Sequence, residues 1–519
     1  MSSSGKSNPY ASPESIRTSP DVEHVKRAKG QPSGLWVLFI TEMWERFNYY
    51  GMRALLVLYL ISKTSGENPG FGWDKADASI FYGWYTFAVY LTPILGGWLA
   101  DRLLGTHRSM LLGGWIIALG EFALAGTELW GHNTGTETIT LFTAPGPFLS
   151  FIGGLTLIAI GTGFFKPCVS VMVGQLYAAD DPRRDSGFTI FYMGINVGAF
   201  LSGVVAGTLG EKIAWHWGFF SAGVGMVLGL LVYLYFRPFY LQGIGLPPHH
   251  RPEHEEGHEP TPEEIEQAKI DEYERTRPIT RVDWDRITVI LILSLFAVVF
   301  WAGFEQAGSS MNVFAKDQTD RTLPWLSGVI PESWYKAVNP FPATWYQSVN
   351  PAAIVIFAPL VAWFWILLAK RKIQPSTPVK FGIAFLLMSA GYVAMVFGAL
   401  DAHASGKAGP QWLLITYVVA TWGELCLSPV GLSMVTKLSP ARYTSMMMGL
   451  YFFFIALANL SAGYFASYAE DFAKRGEDGH GWLAGQADFF LILAVVPAIV
   501  GVIVLLLSPA IKRMMHGLH

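Results

Sequence analysis

Charge is what this chain has least of. Only 14% of its 519 residues are Asp, Glu, Lys or Arg, against about 25% in an ordinary soluble domain. Apolar residues make up 52%. A soluble globule of this length cannot bury that much apolar surface, so the composition points to a chain that crosses a membrane many times. Cysteine is almost missing. Cys168 and Cys426 both lie in apolar runs, which excludes a disulfide scaffold and marks them as packing residues. With a net charge of -3 and no long basic face, nucleic acid is not an expected partner. No P-loop is present, which disfavours ATP-driven work. Residues 1–30 are polar and have no apolar core, so a cleavable signal is not expected there.

Long apolar runs, by contrast, are abundant. A spanning helix needs about 20 mostly apolar residues. Twelve such stretches are expected near 34–62, 78–100, 108–126, 147–178, 187–209, 214–236, 287–311, 346–369, 379–400, 411–437, 443–468 and 486–508. The Pro-, His- and Glu-containing segment 238–286 divides them six and six. The chain therefore reads as a polar tail (1–33), a six-helix bundle (34–237), a linker (238–286), a second six-helix bundle (287–508) and a short tail (509–519). Of the 36 basic residues, 24 fall on the side that holds both tails and the linker. By the positive-inside rule that side is the cytoplasm; the membrane expected is the cell membrane. Two six-helix halves joined in this way are the layout of the major facilitator fold, whose sites lie at the midplane between halves.

Ionisable residues inside spans are costly, by about 2.5–3.5 kcal/mol each on insertion scales, and mark function by default. Glu42, Glu45, Arg46, Tyr49, Tyr50 and Arg53 recur at helical spacing in the first stretch, so they share one face. That face must line a wet cavity or form an ion-pair core. Lys166 sits in Gly161-Thr162-Gly163-Phe164-Phe165-Lys166-Pro167. Tyr192 and Asn196, Trp301 and Glu305, and Glu424 and Ser428 are pairs four residues apart. Taken singly, a Trp is usually packing or an interface anchor and an Asn is usually interhelical glue. Together they put cations in the first half and isolated acids in the second.

These segments resemble the proton-coupled oligopeptide transporter family of the major facilitator superfamily. Glu42 to Gly51 matches its E-x-x-E-R-F-x-Y-Y-G motif, and Phe191 to Gly198 its F-Y-x-x-I-N-x-G signature. Gly97 to Gly105 resembles the superfamily loop between helices two and three. Phe300–Gln306 and Glu424–Pro429 match the helix-seven and helix-ten segments. Tyr451 stands where the family carries a Trp. The chain has neither the two extra helices of many bacterial members nor the large extracellular domain of mammalian ones, which suggests a bacterial source.

The resemblance implies symport of di- and tripeptides with protons into the cell by alternating access. It implies no cofactor, no metal and no enzymatic chemistry, and a monomer functional in the lipid bilayer. It assigns the peptide carboxylate to Arg46 and Lys166, and the peptide amine to Glu424, Asn196 and Asn350. Tyr49, Tyr50, Tyr90, Tyr192, Trp301 and Tyr451 become amphipathic walls, with Ser428 beside them. Glu42, Glu45 and Arg46 become the proton-coupling group. Arg53–Glu305 becomes an outer gate and Lys166–Glu424 an inner one.

Rival readings are a nitrate or other anion carrier and a drug–proton antiporter of the same fold. A membrane enzyme or a receptor is a weaker alternative. His254-Glu255-Glu256-Gly257-His258 fits a zinc-protease pattern, but it lies in a Pro- and Gly-broken linker and reads as accidental. Gly225-x-x-x-Gly229 is a candidate helix-contact motif.

Overall fold

The computed structural model describes residues 30–130, 135–177, 181, 183–246 and 276–518. Nearly all of the polar head, most of the linker and the His254–His258 pattern lie outside the described residues. Among the described residues the chain is helical, with a lone bridge between Thr319 and Ala408.

The first half holds α1 (Ser33–Ile61), α2 (Lys75–Leu99), α3 (Gly105–Ala125), α4 (Pro145–Gln175), α5 (Arg184–Lys212) and α6 (Trp215–Tyr240). The second half opens with α7 (Arg281–Phe304), followed by two short helices, α8 (Ser310–Asp317) and α9 (Glu332–Val338). It continues with α10 (Val349–Lys370), α11 (Thr377–Ser405), α12 (Gln411–Leu438), α13 (Thr444–Ser467), the short α14 (Ala469–Glu477) and α15 (Ala487–Met514). The helices overrun several of the apolar stretches, because polar flanks complete the last turns; α15 ends at Met514 rather than near 508.

Among the described residues, ten segments are long and apolar enough to cross a membrane, and the shortfall from twelve has two causes. A π-helical turn at Ala100–Leu104 joins α2 to α3, so Lys75–Trp130 counts as one segment. Glu42, Glu45, Arg46 and Arg53 leave α1 too charged to qualify. The chain is a multi-pass membrane protein.

Local chemistry sets the helix ends. Thr280 and Asp283 form a capping box at the start of α7. Arg277 clamps the Asp283 carboxylate at 2.6 and 3.1 Å. Pro167 in α4 and Pro429 in α12 each remove one rung of the backbone ladder. Those gaps fall beside Lys166 and Ser428.

Within the first half, α1 packs on α5 and α6, and α4 packs on α2 and α3. In the second, α11 packs on α12 and α15, and α7 on α13. The Gly225/Gly229 pattern is a real contact. A Cβ on Gly229 would lie 2.9 Å from the Trp44 Cβ, and one on Gly225 would lie 2.7 Å from Phe47. Only glycine lets α6 come this close to α1.

With an even number of crossings, Ser33 and Met514 lie at one face, here the terminal face. There His516 reaches Asp285 at 2.8 Å and Gln31 reaches Ser186 at 2.7 Å. The halves meet along α2–α13 and α5–α10. Among the described residues, every hydrogen bond or ion pair between them clusters toward the opposite, far face. Asn312 donates to the Ala54 carbonyl at 2.8 Å, Lys316 to Ser62 at 3.1 Å and Trp345 to Thr208 at 2.8 Å. Lys75 pairs with Asp317 at 2.9 Å. The Glu211 carboxylate accepts from the Ala343 and Thr344 amides at 2.9 Å each and from the Thr344 hydroxyl at 2.8 Å.

Candidate functional site

The six-residue face of α1 divides by depth. Glu42, Glu45, Arg46 and Tyr49 are buried inside the first half. Arg46 Nε lies 3.0 Å from Glu42 and also pairs with Glu45. Its guanidinium carbon sits 5.9 Å above the Tyr49 ring. Across from it, Gly198 of α5 leaves room: a Cβ there would be 3.0 Å from the Arg46 Cβ. Arg46 Nη2 and Glu45 Oε1 have no hydrogen-bond partner. One cation thus serves two carboxylates in a nearly dry setting, where mutual attraction outweighs desolvation only if the geometry holds.

Further along α1, Tyr50 and Arg53 turn into a central cavity of about 290 Å³ between the halves. Arg53 Nη2 pairs with Glu305 Oε2 at 2.7 Å, its Nε donates to the Tyr82 hydroxyl at 2.6 Å, and its guanidinium carbon lies 5.7 Å from the Tyr50 ring centre. This knot closes the far end of the cavity.

The first-half wall also carries Tyr90, Lys166, Tyr192 and Asn196. Lys166 Nζ stands 4.2 Å over the Tyr90 ring, a cation–π contact worth about 0.5–2 kcal/mol. Asn196 uses its amide nitrogen on the Tyr192 carbonyl at 2.9 Å, which leaves its oxygen to accept. The second-half wall carries Trp301, Glu305, Asn350, Glu424, Ser428 and Tyr451. Asn350 donates to Glu424 at 2.8 Å and to Thr421 at 2.9 Å.

Lys166 and Glu424 therefore line one cavity from opposite halves, and no ion pair joins them. The expected inner pair is not formed here, while the expected outer pair is. Arg46 and Tyr49, expected at the ligand, are not on the cavity wall; they stand behind it with Glu42 and Glu45. Burial of the Arg46 side chain among its own carboxylates keeps it there.

The POT family model matches residues 107–245 and 264–483. The chain belongs to the POT family. Its members are transporters, and this chain is a transporter rather than an enzyme. Among its relatives, the Peptide transporter YePEPT of Yersinia enterocolitica is 33% identical, with 97% of this chain and 99% of that one covered. The Di-/tripeptide transporter of Lactococcus lactis is 34% identical over 94% and 97%. An uncharacterized transporter of Bacillus subtilis, YclF, is 35% identical over 94% and 96%. A crystal structure of a peptide transporter POT in complex with sulfate superposes with a TM-score of 0.75 at 32% identity, covering 96% of this chain and all of that one. A POT family transporter in complex with 5-aminolevulinic acid also gives 0.75, at 28% identity and the same coverage.

Several residues that line this POT transporter's cavity or close the halves over it carry no signal in the sequence. Tyr82 bonds Arg53, yet a phenol in an apolar run reads as packing. Met311, Gln347, Tyr392 and Tyr417 line the cavity itself. Their sequence neighbours carry no charge pattern to single them out. Glu211 ends α5 near a loop, where an acid is unremarkable until the start of the second half lands on it.

Proposed function

We propose that this peptide transporter of the POT family imports di- and tripeptides together with protons by alternating access. It acts as a monomer in the cell membrane with both termini in the cytoplasm. The terminal face is then the cytoplasmic one, and the far-face closure makes this an inward-facing state. One observation carries the reading: a cation, Lys166, and an acid, Glu424, face one cavity unpaired from opposite halves.

A short peptide supplies the missing partners. Its carboxylate suits Lys166 and its ammonium suits Glu424, with the Asn196 and Asn350 oxygens close by. Tyr50, Tyr90, Tyr192, Trp301 and Tyr451 offer broad apolar faces with polar tips. Such walls accept varied side chains by shape rather than by fixed hydrogen bonds. The relative bound to 5-aminolevulinic acid holds a ligand with an amine at one end and a carboxylate at the other, which supports the same two-ended recognition.

Protons enter through Glu42 and Glu45. A ligand carboxylate that draws Lys166 away changes the field at both acids, since Lys166 is within electrostatic reach of each. Proton uptake down a 100 mV potential supplies about 2.3 kcal/mol per charge. Outward opening requires Arg53–Glu305 to part. Stranding one buried partner costs about 3–5 kcal/mol, so the transition waits on ligands that compensate.

Uptake of labelled dialanine into proteoliposomes under an imposed pH gradient tests the proposal. Accumulation that collapses with a protonophore is expected. Nitrate accumulation without dipeptide uptake, or dipeptide extrusion, would replace it with the anion-carrier or antiporter reading.

A further inference from the structure

The first half buries a carboxyl that this cycle does not use. Glu121 of α3 is 0% exposed, and neither of its oxygens has a hydrogen-bond partner. Among the described residues no charged neighbour acts on it. An ionised carboxylate left alone in such surroundings is far costlier than a protonated one.

Its surroundings are neutral and equally unpartnered. The hydroxyls of Tyr49 and Tyr85 and the Oδ1 of Asn48 are buried with no partner. Tyr85 stands within electrostatic reach of both Tyr49 and Glu121. Asn48 donates its amide nitrogen to the Ala222 carbonyl at 3.1 Å. The next residue, Gly223, abuts Glu121, since a Cβ there would lie 3.2 Å from the Glu121 Cβ. Helices α1, α2 and α3 thus turn unsatisfied oxygens into one interior, and α6 packs against it. Buried polar atoms are satisfied by protein or by internal water.

We infer that Glu121 is a proton-binding site inside the first bundle, a neutral carboxylic acid bridged by internal water to Tyr85, Tyr49 and Asn48, and that it keeps its proton through the cycle. The acid's O–H donates to water and its carbonyl oxygen accepts from water. Water in turn donates to Asn48 Oδ1, and the phenols donate to water. Retention follows from position. Glu121 is absent from the cavity wall, and its neighbours all belong to one bundle, whereas the contacts that must break lie between bundles.

Infrared spectra of the full-length protein in liposomes at neutral pH test this. A protonated-carboxyl band is expected that does not change on adding dialanine, disappears in Glu121→Gln and shifts in Tyr85→Phe. Glu121→Gln is expected to keep wild-type gradient-driven uptake. A protonated-carboxyl region that loses no intensity in Glu121→Gln would show an ionised Glu121 and overturn the inference. So would loss of gradient-driven uptake with counterflow intact, because the proton then moves. Should Glu121→Gln fail to fold, an unshifted band in Tyr85→Phe overturns it. The comparison of bands between variants does not depend on the cargo, so it stands or falls apart from the proposed function.

Discussion

Arg53 and Glu305 come from opposite halves and meet at 2.7 Å, each almost fully buried. Tyr82 adds a third contact to the same guanidinium at 2.6 Å. Because both charges are out of water, the pair acts as a latch: it is stable when closed and costly to leave half-made.

Glu305→Ala strands Arg53 in the closed state. The closed far face should lose about 3–5 kcal/mol, and the population should move toward outward-facing. Distances between spin labels on the two bundles at the far face should lengthen. An unchanged distance distribution would count against the latch.

Glu211 holds the start of the second bundle's Ala343–Ser348 segment by three hydrogen bonds. Glu211→Ala removes the acceptor for two backbone amides and a hydroxyl. A shift in the same direction is expected, about 1–3 kcal/mol and so smaller than for Glu305. The same label pairs read it, and a shift larger than that of Glu305→Ala would reverse the ranking.

Glu42→Gln and Glu45→Gln each take one carboxylate from Arg46. Gradient-driven uptake should be abolished while peptide counterflow persists. Wild-type gradient-driven rates in both variants would rule out their part in coupling.

Lys166→Ala and Glu424→Ala should each weaken peptide binding by about 1.5–3 kcal/mol, roughly a 10- to 160-fold loss. Selectivity gives the sharper reading. A peptide with a blocked amine should be indifferent to Glu424→Ala, and one with a blocked carboxylate indifferent to Lys166→Ala. Equal losses for blocked and free peptides would refute the assignment of ends.

Gly229→Ala places a methyl 2.9 Å from the Trp44 Cβ. Overpacking between α1 and α6 should destabilise by about 1–3 kcal/mol. Thermal unfolding in detergent should show a lower midpoint, with substrate selectivity unchanged.

The primary structure alone determined the class and most of the cast. Twelve apolar stretches of spanning length, a polar break after six, and charges recurring at helical spacing are all local patterns. A span must satisfy its own backbone within the membrane, which makes such patterns readable one segment at a time. Tyr50, Arg53, Tyr90, Lys166, Tyr192, Asn196, Trp301, Glu305, Asn350, Glu424, Ser428 and Tyr451, named on sequence grounds, all reach one cavity.

Only the tertiary structure decided which charges are spent on each other. Arg46 shares the stripe of Arg53, yet Gly198 and two carboxylates hold it behind the wall. Arg53 finds Glu305, some 250 residues away by numbering, while Lys166 and Glu424 stay apart. Glu121 shows no sign in its own segment that it lacks a partner. Pairing across helices depends on how two bundles are set against each other, and spacing along one helix carries no information about that angle.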